Sequence, residues 1–542
     1  MLAAPWTVPW RSHRSDAQGN DTSASMSPLP VWLARLLLFK LMLLSGVVKL
    51  DAGCPTWLNL TATTYHFATQ CIPTPLARIA HEVPLFLHKF FVASTLFLEG
   101  PAAFVLVVPH AGLRAVGAWA QVFLQCTIIA TGNYNFFNLL TIVLALSTID
   151  GDEERAPARQ WPPRGTPLRR ARDMLVWSIA AALLMLSAGW MFDLRAGGDT
   201  GAIETRDASA WNIELRMSVH QMHAALRAWL PRTLGLLWLA VFPGVEARRL
   251  AHRWRAELLN ASPGRAVLAC AQSMSALIVA WLLFTASAWP LLHGSLQGGF
   301  PQWALPPLPI DGNAVAFAKA HHLTSSYGLF RRMTGVGRDG GVARPEVVFE
   351  VSSDGRKFAE LEFLFKPGRV DRPPPWVAPH QPRLDWQMWF AALGSYNHNG
   401  WLVSLAYRIL EGSPEVYRLL DELANNGIAS PRAPPKVLRA SLWHYDFAPS
   451  GSGVWWERTR VEGYLPELSL DNPSLQAFAR DNGLTGGSKT RCSAEPLCAL
   501  AATPPAMGIA ISAATGFAAA LVCHTLRDIS PVGFVARHLK SE

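Results

Sequence analysis

The feature that most constrains this chain is a series of apolar runs, each near the length of a bilayer crossing. A helix rising 1.5 Å per residue needs about 20 such residues to span a hydrocarbon core of about 30 Å. Val31–Leu50 is the first run; others fall at roughly 85–108, 112–131, 134–149, 174–193, 228–244 and 266–292. A last run at 505–523 is rich in Ala and Gly. Lipid offers no partner to backbone N–H and C=O groups, so each run is expected to close its own hydrogen bonds as a helix. Only 16% of the 542 residues are charged, whereas soluble domains carry about 25%. Residues 31–292 therefore read as a polytopic α-helical membrane bundle of about seven spans. Residues 1–30 are polar, lack the apolar centre of a cleavable signal peptide, and read as a disordered cytosolic N-terminus.

Charge fixes the expected orientation. The net charge of +9 does not call for a nucleic acid, because the arginines gather in short loops beside apolar runs. Loop 150–173 carries Arg155, Arg159, Arg164, Arg169, Arg170 and Arg172, and loop 245–265 carries Arg248, Arg249, Arg253, Arg255 and Arg265. Cytosolic loops concentrate Lys and Arg in this way. Counting spans outward then puts 51–84 and 293–504 on the lumenal side. Asn59-Leu60-Thr61 is a glycosylation sequon in the first of these segments. Of seven cysteines, Cys126, Cys270 and Cys523 fall in apolar runs. Cys54, Cys71, Cys492 and Cys498 fall in the expected lumenal segments, where an oxidising compartment permits disulfides. The simplest pairing is Cys54–Cys71 with Cys492–Cys498; unpaired or differently paired thiols are the alternative.

The second half of the chain changes period. Glu346–Val351 alternates, Ser353-Asp354-Gly355 turns, and Glu360–Phe365 alternates again, which is a hairpin signature. A second hairpin reads at Lys436–Phe447 and Val454–Val461. Helical spacing occupies about 384–395, 400–411 and 414–425. The expected soluble part is thus a lumenal antiparallel β-rich (α+β) domain with a helical insertion over 327–470. Residues 293–312 and 367–382 are Pro-rich connectors; 293–326 and 471–504 read as linkers, 505–523 as a possible C-terminal span, and 524–542 as a tail.

Chemistry-bearing motifs are sparse. Gly335-Val336-Gly337-Arg338 lacks the strand-then-helix context of a phosphate loop. No Cys-x-x-Cys, paired-His metal motif or nucleophile elbow occurs. No catalytic, metal or cofactor residue is assigned, and no cofactor is expected. Intramembrane charge is costly unless paired, so the deep Lys40 and Glu99 are expected to pair. That pair is read first as a bundle-stabilising contact and second as a proton-transfer site. The densest aromatic stretch is Arg383–Phe390, followed by Trp401. Asp385 suits an N-cap or the first turn of a helix there. Trp386 and Trp389, three apart, share a helix face with Phe390 beside them. Such a face is either the domain's core or a partner-binding surface, since Trp and Arg dominate interface hot spots. Trp455-Trp456 divides the same way, one ring inward and one outward on a strand. Client-contact candidates are Arg383, Trp389, Trp401, Trp455 and Trp456, with Trp386 assigned to the core.

These residues resemble a known family. Arg35–Met42 with Ser45–Lys49, Tyr65–Gln70 with Pro73-Thr74-Pro75, and Gly132–Asn138 are similar to the membrane-domain blocks of the lipase maturation factors. Tyr327–Phe330, Phe365–Gly368, Pro379–Phe390 and Trp455–Arg458 are similar to the blocks of that family's soluble domain. The matches keep the family's order from about 31 to 465. The resemblance implies a multi-pass endoplasmic reticulum protein that assists folding, assembly and maturation of secreted proteins such as lipases, with a lumenal domain that binds the client. It implies no catalytic residues. The competing reading is a membrane-embedded enzyme, distantly similar in style to the vitamin K-dependent carboxylases. Lys40, Glu99 or His66 would then be the acid–base groups.

Overall fold

The computed structural model describes residues 29–108, 110–134, 136–149, 166–196, 211–236, 330–337, 339–377 and 380–485, with isolated helical positions between 267 and 321. The expected spans at 266–292 and 505–523, and Cys270, Cys492, Cys498 and Cys523, lie outside the described residues. The chain divides into two compact units. The first comprises 1–62, 84–122 and 141–333; the second comprises 63–83, 123–140 and 334–542.

In the first unit, α1 runs Leu29–Asp51 and a short α2 runs Pro55–Leu58. α3 (Ala62–Thr69), apart from its first residue, and α4 (Pro75–His81) belong to the second unit. The expected 85–108 span is α5 (Leu85–Glu99), broken at Gly100 and continued by a 3-10 helix at Pro101–Val107. Pro101 has no N–H to donate, which explains the break. α6 (Ala111–Thr131) contributes to both units; α7 (Phe137–Leu146) follows and α8 runs Pro167–Met191. Among the described residues, three helices are long and apolar enough to cross a membrane: Leu85–Val107, α6 and α8. α1 has the length, but Arg35, Lys40 and Lys49 reduce its apolarity, and all three are buried. The 134–149 run yields only the ten-residue α7. After α8 the chain forms a hairpin missed in the sequence: β1 (Phe192–Ala196) pairs antiparallel with β2 (Trp211–Leu215). α9 runs Val219–Leu236. The unit's core packs Leu38, Phe39 and Met42 against Ala103, Leu106 and Ala118. A second cluster packs Trp57 and Leu60 against Val92, Leu96 and Met222.

The second unit is built on a four-stranded antiparallel sheet in the order β4-β3-β5-β6. Its strands are β3 (Arg344–Ser352), β4 (Ala359–Leu361), β5 (Val437–Phe447) and β6 (Trp456–Leu468). Both expected hairpins are present. β4 is shorter than the alternation suggested, because Phe363 leaves the ladder for an isolated bridge with Leu420. β6 is longer, running past Val461 with three register shifts against β5, at Leu438/Ala440, Ala440/Ser441 and Leu442/Trp443. Between the hairpins lie α10 (Arg383–Ala392), α11 (Gly400–Glu411) and the single turn α12 (Pro414–Tyr417). α11 buries Leu402, Leu405, Ala406, Ile409 and Leu410, the i, i+3, i+4, i+7 stripe of a one-sided helix. Each such leucine removed from water contributes about 2 kcal/mol. Gly412, in the left-handed region at φ 80°, ends α11; a Cβ there would meet the Pro431 carbonyl at 2.9 Å. The stripe packs on Val347, Phe349, Val351, Leu438 and Ala440. α13 (Pro473–Asp481) falls where a linker was expected, capped by the Asn472 side chain.

Candidate functional site

Among the described residues of the first unit, Lys49 and Glu99 form a buried ion pair. Lys49 Nζ lies 2.5 Å from Glu99 Oε2, donates to the Ser45 carbonyl at 3.1 Å and sits 5.2 Å from the centre of the Trp57 ring. This corrects the expected Lys40–Glu99 pair. The reason is local: Gly46 lets α1 approach the end of α5, and a Cβ on Gly46 would stand 2.9 Å from the Glu99 carbonyl oxygen. The carboxylate therefore meets the lysine one turn beyond Gly46. Lys40 is buried elsewhere on α1.

The second unit is organised around Arg344, the first residue of β3. Its guanidinium and the Glu346 carboxylate are both inaccessible to solvent. Arg344 Nε donates to Glu346 Oε1 at 2.8 Å. Nη1 donates to the Ala68 carbonyl at 3.0 Å and to the Gln70 carbonyl, and Nη2 donates to the Cys71 carbonyl at 2.8 Å. Lys366 Nζ approaches the other Glu346 oxygen at 3.0 Å. A planar five-donor fork suits this task, which a lysine would not fill. One side chain thus fixes segment 68–71 onto the sheet.

The aromatic stretch completes the same assembly. Asp385 Oδ1 accepts the backbone N–H groups of Phe365 and Lys366 at 2.9 and 2.8 Å. It stands in the first turn of α10, but the N-cap is Pro382. Burial raises its pKa above the usual carboxylate range. Trp389 Nε1 donates to the Thr69 carbonyl at 2.8 Å. Trp386 and Trp389 pack beside Cys71, Ile72 and Val377. The turn after α6 joins too: Asn133 Nδ2 donates to the His380 carbonyl at 2.7 Å, and Gln70 Nε2 donates to the Thr131 carbonyl at 2.6 Å.

The five contact candidates fare differently. Trp456 is 1% exposed and stacks on Phe447, its register partner; it is core. Trp389 is half-buried with its N–H committed to Thr69. Trp455 is half-buried beneath the Arg78 guanidinium, 4.9 Å from the ring centre, and Trp401 packs against the main cluster. Arg383 is exposed. Asn59 is also exposed, just after α2. Cys54 and Cys71 are buried free thiols, so the expected bridge between them is not formed. Burial pushes the Cys71 thiol up to about 12, which keeps it protonated and unreactive. His66 hydrogen-bonds Tyr134 at 3.1 Å.

The other face of the sheet was not anticipated. Arg458 of β6 reaches Glu360 of β4 through two bonds of 2.8 and 2.9 Å. Its guanidinium lies 4.6 Å from the Trp443 ring centre. Arg439 contacts Glu350 at 2.5 Å. Alternation of charged residues in β3 and β5 was the available signal. Among the described residues, no group of three or more His, Cys, Asp or Glu side chains is placed to hold a metal ion. A cleft between Pro73, Phe365, Lys366, Arg372 and Trp456 has a volume of about 10 Å³, room for one water. These are arrangements for holding segments together and presenting surfaces.

Comparison with known proteins adds to this geometry. Residues 2–155 match the model of the lipase maturation factor transmembrane domain, and 323–466 match that of the lipase maturation factor C-terminal domain. Lipase maturation factor 2 of Homo sapiens is 38% identical over 498 residues, covering 89% of this chain and 66% of that protein. The Mus musculus protein of the same name is 37% identical over 510 residues, covering 91% and 67%. Lipase maturation factor 1 of Homo sapiens is 27% identical over 470 residues, covering 84% and 63%. The chain therefore spans about two thirds of the length of these relatives. No solved structure matches.

Proposed function

The chain belongs to the lipase maturation factor family, and on that premise we propose that it assists the folding, assembly and maturation of secreted lipases at the endoplasmic reticulum membrane, with its second unit in the lumen. The observation that carries the lumenal placement is the Arg344 assembly. It binds 68–71 to the sheet, while Asn133 ties the turn after α6 to His380. Segments 63–83, 132–134 and 334–485 thus share one side of the membrane. Two apolar helices, Leu85–Val107 and α6, separate the first two, and an out-and-back pair returns the chain to the side it left. α8 is long enough to cross; its Arg-rich beginning, with Arg169, Arg170 and Arg172, takes the cytosolic side, and its far end leads to β2, where Asn212 accepts from Lys89 at the start of α5, on the side of 63–83, which leaves the unit lumenal. An exposed Asn59 is open to a glycosyltransferase on that side.

Client contact in this reading uses surfaces that the fold leaves open. Arg383 stays among them, whereas Trp456 does not. β6 adds a sheet edge with Glu457, Thr459, Arg460, Val461 and Glu462 exposed, a place where an incompletely folded client could add a strand. The test is complementation. In cells lacking their own maturation factor, expressing the chain should restore secreted lipase activity per unit lipase mass. Unchanged specific activity at normal expression of the chain counts against the proposal.

A further inference from the structure

At Trp376 and along α10 and its C-terminal end, large apolar side chains are left uncovered. Trp376 is 62% exposed, Phe390 51% and Leu393 42%. Phe390 contacts the Trp386 and Trp389 rings at 5.8 and 5.0 Å, so the exposed group continues a packed aromatic layer. Arg383 is exposed on the same helix.

The height of this segment is set by its bonds to the end of a membrane helix. α6 ends at Thr131, whose carbonyl accepts from Gln70; the Ala130 carbonyl accepts from Thr74 at 2.7 Å. Two residues beyond the helix, Asn133 donates to the His380 carbonyl. Trp389 donates to Thr69, the residue before Gln70. Each link is one side chain long. The interfacial layer on either side of the hydrocarbon core is about 5–8 Å deep, so a segment tied this closely to the helix end lies within or beside it.

We infer that Trp376 and the helix α10 with Leu393 after it form an interfacial anchor, with Trp376, Phe390 and Leu393 entering the headgroup–acyl boundary of the bilayer that α6 crosses. Aromatic rings favour that boundary because one part of the ring system is apolar and its edge tolerates water. A protein partner is the less favoured occupant, since it would have to insert between this surface and the headgroups. The anchor fixes the height and tilt of the sheet above the membrane.

Site-specific photocrosslinking in intact microsomes tests this. A benzophenone amino acid replaces Phe390, Phe123 on α6 or Val461 on β6, in the full chain. The Phe390 position should crosslink phosphatidylcholine with a yield within about threefold of Phe123 and at least about tenfold above Val461. The probe is itself an aromatic side chain at an exposed position, so folding is preserved. A lipid yield at Phe390 no higher than at Val461 overturns the inference, as does a Phe390 adduct that is protein and not lipid.

Discussion

Arg344 and Glu346 meet at 2.6 Å with neither side chain reaching solvent. The arginine spends its remaining donors on the backbone carbonyls of Ala68, Gln70 and Cys71, 276, 274 and 273 residues away in the sequence. A buried pair of this kind is weak evidence for stability gained, but removing one partner strands the other.

Arg344→Met is therefore expected to destabilise the second unit by about 3–5 kcal/mol. It leaves Glu346 facing Lys366 alone and releases the Ala68, Gln70 and Cys71 carbonyls. Arg344→Lys should recover little, because an ammonium cannot reproduce the planar fork. Thermal unfolding of the detergent-solubilised chain, with proteolysis at 63–83 as a local readout, measures both.

The membrane pair gives a reciprocal expectation. Lys49→Met or Glu99→Gln alone should lower the unfolding midpoint and the monodisperse yield, whereas Lys49→Met with Glu99→Leu should recover much of the loss. Gly46→Ala should resemble the single variants, since its methyl meets the Glu99 carbonyl. Lys40→Met should be milder than Lys49→Met. Equal effects at the two lysines would contradict the assignment.

Asp446 provides a pH signature. Burial, with the Glu457 carboxylate beside it, raises its pKa to about 6. The folded state then binds more protons than the unfolded state below that value, so this group's contribution grows as pH falls through about 6 and is lost as pH rises through it. The stability of wild type relative to Asp446→Asn should accordingly increase from pH 7 to pH 5. A flat difference would show that the carboxyl titrates normally.

Trp456 and Trp389 separate core from linkage. Trp456→Ala should cost about 3–5 kcal/mol through the cavity beside Phe447. Trp389→Phe keeps a ring but forfeits the bond to Thr69, costing about 1 kcal/mol. Any loss of lipase secretion with Trp456→Ala should track the loss of folded protein, measured by chain abundance and protease resistance.

What was legible in the sequence followed from period. The alternation in Glu346–Val351 gave β3, and helical spacing gave α10 and α11. Alternation does not reveal that the charged face is also covered: Arg344 and Glu346 are buried, with Arg344 bonded to segment 68–71, a contact made only after folding. Depth along α1 favoured Lys40 for Glu99, but close helix approach at Gly46 decided for Lys49. Strand alternation was expected to send one of Trp455 and Trp456 inward; Trp456 is buried opposite Phe447, whereas Trp455 precedes β6 and is half-buried beneath Arg78. The Cys54–Cys71 bridge was permitted by spacing, whereas Cys71 packs with Ile72 and Val377.

The central claim is that 63–83, the turn after α6 and the sheet domain occupy one side of the membrane, the lumenal side. The most direct measurement is glycan acquisition in microsomes by Asn59 and by a second acceptor made with Ser450→Asn, which with Gly451 and Ser452 completes a sequon on an exposed turn. Both sites should carry endoglycosidase-sensitive glycans, and residues 334–485 should resist added protease until the membrane is permeabilised. A glycan on neither site, with 334–485 cleaved in intact microsomes, would contradict the account.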